Sequence, residues 1–404
     1  MSEHVDTIVV GGGQAGLSTS WHLKKAGREH IILDRGKIGD TWRHRWDAFC
    51  LVTPNWTCNL PDFPYDGDDP DGFMLRDEIV DYVVRFAQSF DPPLHGGVEV
   101  HRVSPSSDGG RFSLDTSMGE FAADNVIIAT GTHQKPRIPA WADRLGDDIF
   151  QVHSYDYRNP AQIPDGAVLV VGSGQSGCQI VEDLFVTGRD VHLSVGKGQR
   201  VPRRYRGKDF MEWSKITGLL EIPVENHRLG PAVRFQKQPL ASGRDGGRTI
   251  NLRQFALNGI KLHGRLADAN EHQVSFADDL AENLDAMDKI CAERTAAIDK
   301  YIAENGIDAP ENDLAAVEWQ PTSEPTTLDL RQAGINSVIY GTGFYYDFGW
   351  LDFPIFDDRG YPRYERGVTE VPGLYFIGLH WMHTQGSGLF SGVGRDAEYI
   401  VGQI

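Results

Sequence analysis

The sequence predicts an α/β protein built from two Rossmann-like dinucleotide-binding domains, the second inserted into the first. Three observations carry this expectation. A glycine fingerprint stands between a strand and a helix, a copy of it recurs 161 residues later, and a strand near the C-terminus is placed to rejoin the first domain.

The first fingerprint is Thr7-Ile8-Val9-Val10-Gly11-Gly12-Gly13-Gln14-Ala15-Gly16, followed by a helix-compatible segment from Leu17 to Ala26. Gly11 makes the tight turn, Gly13 lets backbone approach a pyrophosphate, and Gly16 lets helix pack on strand. Free N–H groups and the positive dipole end at Gln14 and Ala15 then face the phosphates. Ile31-Ile32-Leu33 reads as the second strand and ends at Asp34, a carboxylate placed to accept ribose hydroxyls.

Val170-Val171-Gly172-Ser173-Gly174-Gln175-Ser176-Gly177 repeats Val9 to Gly16 with six of eight positions identical. A second echo marks the end of each unit. Val126 to Gly131 and Val338 to Gly343 are apolar strands running into Thr130-Gly131 and Thr342-Gly343, where backbone can pass close to a cofactor. The expected division is 1–160, 161–334 with a helical segment near 278–305, and 335–404, the last returning to the first domain.

Between these marks the chain is more varied. Lys37 to Pro64 is loop-like and carries Trp42, Trp46, Phe49, Trp56 and Phe63. It is either a surface loop burying its own rings or, as favoured here, a wall that keeps water from a bound ring system. Arg76 to Phe90 reads as an amphipathic helix, and Val98 to Val103 with Arg111 to Thr116 as strands of a small antiparallel insertion. The segment from Gly207 to Pro325 is uneven. Within it Asp278 to Asn305 is a helix whose stripe Leu280, Leu284, Met287, Cys291 serves core packing or, less favoured, a lid or oligomer contact. Gly373 to Gly378 is the return strand, and Gly386-Ser387-Gly388 is expected to open a final helix whose N-terminus faces the first cofactor.

Composition narrows the function. The chain has 404 residues, 39 basic and 57 acidic, for a formal charge of −18. That argues against nucleic acid or an anionic membrane as the main partner. The N-terminus shows no signal-peptide pattern and no apolar run is long enough to span a bilayer, so a cytoplasmic enzyme is expected. Cys50, Cys58, Cys178 and Cys291 form no C-x-x-C pair, zinc set or disulfide framework.

Taken together, these residues resemble the class B-type single-component flavin-dependent monooxygenases. Ala129-Thr130-Gly131 through Pro136 and Pro139 is similar to their interdomain pattern, and His153-Ser154-Tyr155-Asp156-Tyr157-Arg158-Asn159-Pro160 to the end of their identifying motif. Leu51 to Trp56 and Gly386 to Val393 resemble a bacterial branch of flavin-dependent oxidoreductases encoded in nitrilase gene clusters. Two positions depart from the pattern: Ile149 stands where a glycine is usual, and Leu379 where many relatives carry aspartate.

The resemblance implies FAD at the first fingerprint, with Arg35, Trp42 and Gly388 in the same site, and NADPH at the second. It implies a C4a-peroxide on the flavin that oxygenates a small nitrogen, sulfur or carbonyl substrate with O2, a link to nitrile or nitrogen metabolism, and a supporting role for Asn55. His153 is read as a linker residue in preference to an acid or base. NADPH is also favoured locally, because Val195 replaces the carboxylate of Asp34 and Lys197 and Arg200 follow; a solvated basic loop is the plainer alternative. Rival functions are an NADPH oxidase releasing hydrogen peroxide, a disulfide reductase, and a non-catalytic flavin sensor. A homo-oligomer is compatible with all of them.

Overall fold

The computed structural model describes residues 3–107, 110–312, 314–322 and 326–404. Pro325, the expected end of the uneven segment, lies outside them.

The first sheet begins with β1 (Glu3–Val10), leads through the helix α1 (Gln14–Lys25) to β2 (His30–Asp34), and pairs these strands in parallel. A second helix, α2 (Arg76–Phe90), has the predicted bounds and buries Ile79, Val83 and Phe86. Then follow β3 (Leu94–Gly96), β4 (Val100–Pro105), β5 (Phe112–Thr116) and β6 (Gly119–Ile128). The strand order is β3-β2-β1-β6-β5-β4. The long β6 works twice: its first half is antiparallel to β5, while its last residues are parallel to both β1 and a late strand.

The second sheet is wholly parallel. It contains β7 (Phe150–His153), β8 (Ala167–Val171), β9 (Val191–Ser194), β10 (Lys261–His263) and β11 (Ile335–Tyr340), in the order β7-β11-β8-β9-β10. Helix α3 (Gln175–Phe185) follows β8, and the long α4 (Leu280–Asn305) buries the predicted stripe Leu280, Leu284, Met287 and Cys291. The chain then returns: β12 (Leu374–Phe376) pairs with β6 of the first sheet, and α5 (Val393–Val401) packs on α1.

Both sheets are covered on two faces, as parallel sheets require. Val9 and Ile8 of β1 point into different buried clusters, and Val170 and Leu169 of β8 do the same. This explains the unbroken apolar runs before each fingerprint.

Three expectations need correction. The domain boundaries expected at 160 and 334 cut off β7 and β11, which hydrogen-bond to each other and, through β11, to β8, so the second unit runs from Phe150 to Tyr340. The final helix does not open at Gly386. Gln385–Gly388 is a single 3-10 turn whose Ser387 hydroxyl accepts the backbone N–H groups of His383 and Thr384, and the α-helix starts at Val393. In the aromatic loop one ring, Trp46, is core instead of wall. Trp46 is 1% exposed and joins the core of the second unit, where Phe49 meets it edge-on, so this loop of the first unit fills a gap in the second. Ile149 likewise has a physical reason: it packs with Trp141 and Leu145, which glycine could not do.

Candidate functional site

The two fingerprints fold into the same shape. A Cβ on Gly11 would stand 2.6 Å from the carbonyl oxygen of Ala129, and one on Gly172 would stand 2.6 Å from that of Gly341. A Cβ on Gly16 or Gly177 would lie 1.8 Å from the carbonyl oxygen of Gly11 or Gly172. These four glycines are therefore fixed by the protein itself. Gly13 and Gly174 are different: a Cβ at either meets nothing within 4 Å. The space over them is open.

Each open glycine is the N-cap of its helix, with no side-chain cap and no acidic residue in the first turn. The leading N–H groups of α1 and α3, at Gln14-Ala15 and Gln175-Ser176, thus remain available to an anion. The two glutamines reach away from the turn. Gln14 Nε2 donates to the carbonyl of Gly388 at 3.0 Å, and the carboxamide of Gln175 bonds both ways with the backbone of Ala241. Each cradle is thereby tied to a segment distant in sequence.

At the end of β2 the Asp34 carboxylate accepts the backbone N–H groups of Gly12 and Gly36. Arg35 beside it is exposed. The second unit solves the same joint without a carboxylate: the Ser173 hydroxyl bonds to the backbone of Gly196, while Val195 is fully buried. Lys197 is exposed. Arg200 is paired with Asp288 at 2.7 Å, so its guanidinium is already engaged. Trp42 stacks on Phe390, 5.5 Å between ring centres.

Asn55 is 3% exposed and spans its own loop: its amide donates to Asp69 and accepts from Met74 N–H. That makes it a brace within the loop, with both ends of its carboxamide engaged.

The Thr-Gly pairs end strands β6 and β11, and the segments beyond them meet. Lys135-Pro136 runs antiparallel to Phe344-Tyr345, Arg137 N–H donates to Gly343, and the Thr342 hydroxyl donates to Arg137. Gln134 holds the other pair, donating to Thr130 Oγ1 and the Gly131 carbonyl. His153 is committed to this joint, with one ring nitrogen at Gly343 O (3.0 Å) and the other at Tyr155 N–H.

Around this joint the ends of strands from both sheets converge, and they bring together residues that sequence reasoning passed over. Arg45, His133 and His380 come from the aromatic loop, the β6 exit and the β12 exit. The Arg45 guanidinium has its Nε buried without a partner, and burial lowers its pKa to about 10. His133 is exposed and packs edge-on against Phe344. Loss of bulk water, with nearby Arg45 adding repulsion, holds its pKa well below the usual value, so the ring is neutral at neutral pH. Burial lowers that of His380 too. The His133 ring meets Phe344 edge-on at 4.7 Å. Ligands of open parallel sheets bind beyond the carboxyl ends of strands, and here the segments leaving such ends of both sheets are joined to each other. The motif quoted through His133 could have flagged that residue; nothing local distinguishes Arg45 or His380.

The four cysteines are buried and free. Burial pushes the Cys50 and Cys58 thiols up to about 11 and about 12 and raises Cys178 and Cys291 as well. None is a poised thiolate of the kind dithiol exchange uses. Among the described residues no helix is long and apolar enough to cross a membrane, and no cluster has the makings of a metal site.

Comparison with known proteins agrees with this geometry. The sequence pattern of the pyridine nucleotide-disulphide oxidoreductase family matches residues 8–209. A CzcO-like oxidoreductase of Geobacillus kaustophilus is 35% identical, covering 100% of this chain and 99% of its own. The CzcO oxidoreductase of Bacillus subtilis is 30% identical with 99% of each chain covered. Among solved structures, a flavin-containing monooxygenase from Stenotrophomonas maltophilia shares the fold, with a TM-score of 0.67 at 19% identity over 99% of this chain and 98% of that one.

Proposed function

The chain belongs to the pyridine nucleotide-disulphide oxidoreductase family, and from that premise we propose that it acts as an FAD- and NADPH-dependent monooxygenase. The observation that carries the reading is the pair of open, uncapped cradles whose strand-exit segments are joined to each other. FAD suits the first cradle, where Asp34 is available to ribose hydroxyls. NADPH suits the second, inserted unit, where Val195 removes the carboxylate that would repel a 2′-phosphate and Lys197 lies free. When bound, the reduced flavin supplies the oxygen chemistry, activating O2 and passing one atom to a small nucleophilic nitrogen or sulfur or to a carbonyl.

The chain's own part is binding, orientation and electrostatics. The helix termini at Gln14 and Gln175 hold pyrophosphates, and the Gln14–Gly388 bond fixes the return loop over the first cradle. Arg45 contributes a desolvated positive charge to the cleft. His133, neutral and held at Nδ1 by the Thr132 hydroxyl at 3.2 Å, leaves Nε2 free to give or take a proton. The linker ribbon and its aromatic rings limit water. Every cysteine is buried and burial raises each thiol's pKa, so the chain offers no poised dithiol, which favours the oxygen reading over disulfide reduction. A link to nitrile or nitrogen metabolism rests on sequence resemblance alone and names no substrate.

The test is rapid mixing. Protein reduced anaerobically with NADPH should, on meeting O2, pass through a transient absorbing species distinct from both reduced and oxidised flavin. Direct return to the oxidised spectrum with stoichiometric hydrogen peroxide, at every pH and NADP concentration, would support the oxidase reading instead.

A further inference from the structure

A cavity of about 60 Å³ lies between the segment inserted after the second cradle and the return loop. A single water takes roughly 10–15 Å³ of such space, so there is room for about five small groups. Trp381 and Gln385 of the return loop form one side, and Phe210 and Ile222 of the inserted segment form much of the other. The cavity touches both halves of the site. Gln385 lies in the same turn as Gly388, whose carbonyl receives Gln14. Lys237 Nζ is 3.7 Å from where a Cβ on Gly196 would stand, just beyond β9.

Its charge is one-sided. Arg294, from α4, and Lys237 line it, and none of the lining residues is acidic. Neither cation makes a hydrogen bond or ion pair among the described residues. This is unusual for a chain with 57 acids to 39 bases, whose α4 supplies carboxylates to other arginines: Asp288 to Arg200 and Arg253, and Asp285 to Arg253. Burial lowers the pKa of both cations, and Arg228 beside Arg294 adds repulsion. A half-buried arginine and an exposed lysine without partners, beside the apolar side chains of Trp381, Phe210 and Ile222 and a rim of glutamines, favour an anion with a short apolar body.

We propose that this cavity is the subsite for a small monocarboxylic acid, with Arg294 holding the carboxylate, Lys237 adding charge, and the body lying against Trp381 and Ile222. That the acid is the substrate rests on the monooxygenase reading; that it binds does not. The same two cations could in principle meet the 2′-phosphate of NADPH, and the experiment separates these sources.

Flavin-loaded protein is titrated with butyrate, with the isosteric but neutral butyramide, and with NADP⁺, using ligand-observed NMR. Butyrate should bind at least about tenfold more tightly than butyramide, as a charge-assisted contact implies. Arg294→Gln should remove that difference, Arg294→Lys should keep part of it, and NADP⁺ affinity should stay within about threefold in both variants. Flavin content and far-UV circular dichroism check that each variant is folded, and the Lys variant retains the charge should Gln disturb the helix. Equal binding of butyrate and butyramide, or no saturable butyrate binding, overturns the proposal. So does a loss that falls on NADP⁺, which would assign the cations to the cofactor. Failure of the oxygen-mixing experiment would leave this titration unaffected, so the two readings fail independently.

Discussion

Substituting the two open glycines by alanine should separate the cofactor sites from each other and from folding. Gly13 has φ −76° and Gly174 φ −78°, which any residue adopts, and a Cβ at either meets nothing within 4 Å. The cost to the fold is that of replacing glycine by alanine at an N-cap, about 1 kcal/mol or less. The cost to the ligand is larger. A methyl group on the surface that pyrophosphate must approach displaces at least one charge-assisted hydrogen bond, worth about 1.5–3 kcal/mol, or roughly 10- to 150-fold in affinity. Gly13→Ala should therefore lower flavin content while leaving NADP⁺ binding intact. Gly174→Ala should raise the KM for NADPH by that factor while the protein remains fully yellow. Gly177→Ala is the control, since its Cβ would sit 1.8 Å from the Gly172 carbonyl oxygen and the fold itself must fail. The assays are flavin absorbance per folded chain, NADPH kinetics of anaerobic flavin reduction, and thermal melting. If Gly174→Ala keeps its KM within threefold, or if both variants lose flavin equally, the assignment of one dinucleotide to each cradle is wrong.

Other consequences follow from buried polar groups. His192 and His263 stack with planes 3° apart and share one hydrogen bond of 2.9 Å, and burial lowers the pKa of each to about 4. Folded, they stay neutral where the unfolded chain takes up protons at about 6.5, so stability is complete above that pH and falls as pH drops towards 4, by at most roughly 3 kcal/mol for each ring. Urea unfolding between pH 7 and 4.5 should show this, and His263→Phe should flatten the slope; an unchanged slope refutes the account. Asn55→Ala leaves the buried Met74 N–H without its acceptor and should cost about 1–3 kcal/mol in a melting experiment, with flavin reduction by NADPH largely spared. Arg45→Met removes the cation beside His133, so the His133 pKa should rise, as followed by NMR of the ring protons. A pKa that stays put would show that Arg45 does not act on that ring.

The sequence alone determined whatever depends on short stretches of chain. A strand, a glycine turn and a helix are local, so both cradles, the carboxylate at Asp34 and its loss at Val195 were readable from spacing, as were the bounds of α2 and the buried stripe of α4. Long-range pairing was decided only in three dimensions. β7 and β11 belong to the second sheet because they hydrogen-bond to each other, and no local pattern encodes which sheet an isolated apolar strand joins. The same holds for side chains whose meaning is their partner. Arg200 looked free until α4 brought Asp288 to it, Asn55 looked available until its loop closed on Met74, and Trp46 looked like part of a wall until it entered the second core. Arg45, His133 and His380 are far apart in sequence and come near one another only because segments leaving two parallel sheets meet. Their charge and protonation are set by desolvation, a property of the assembled cleft that no single stretch of chain contains.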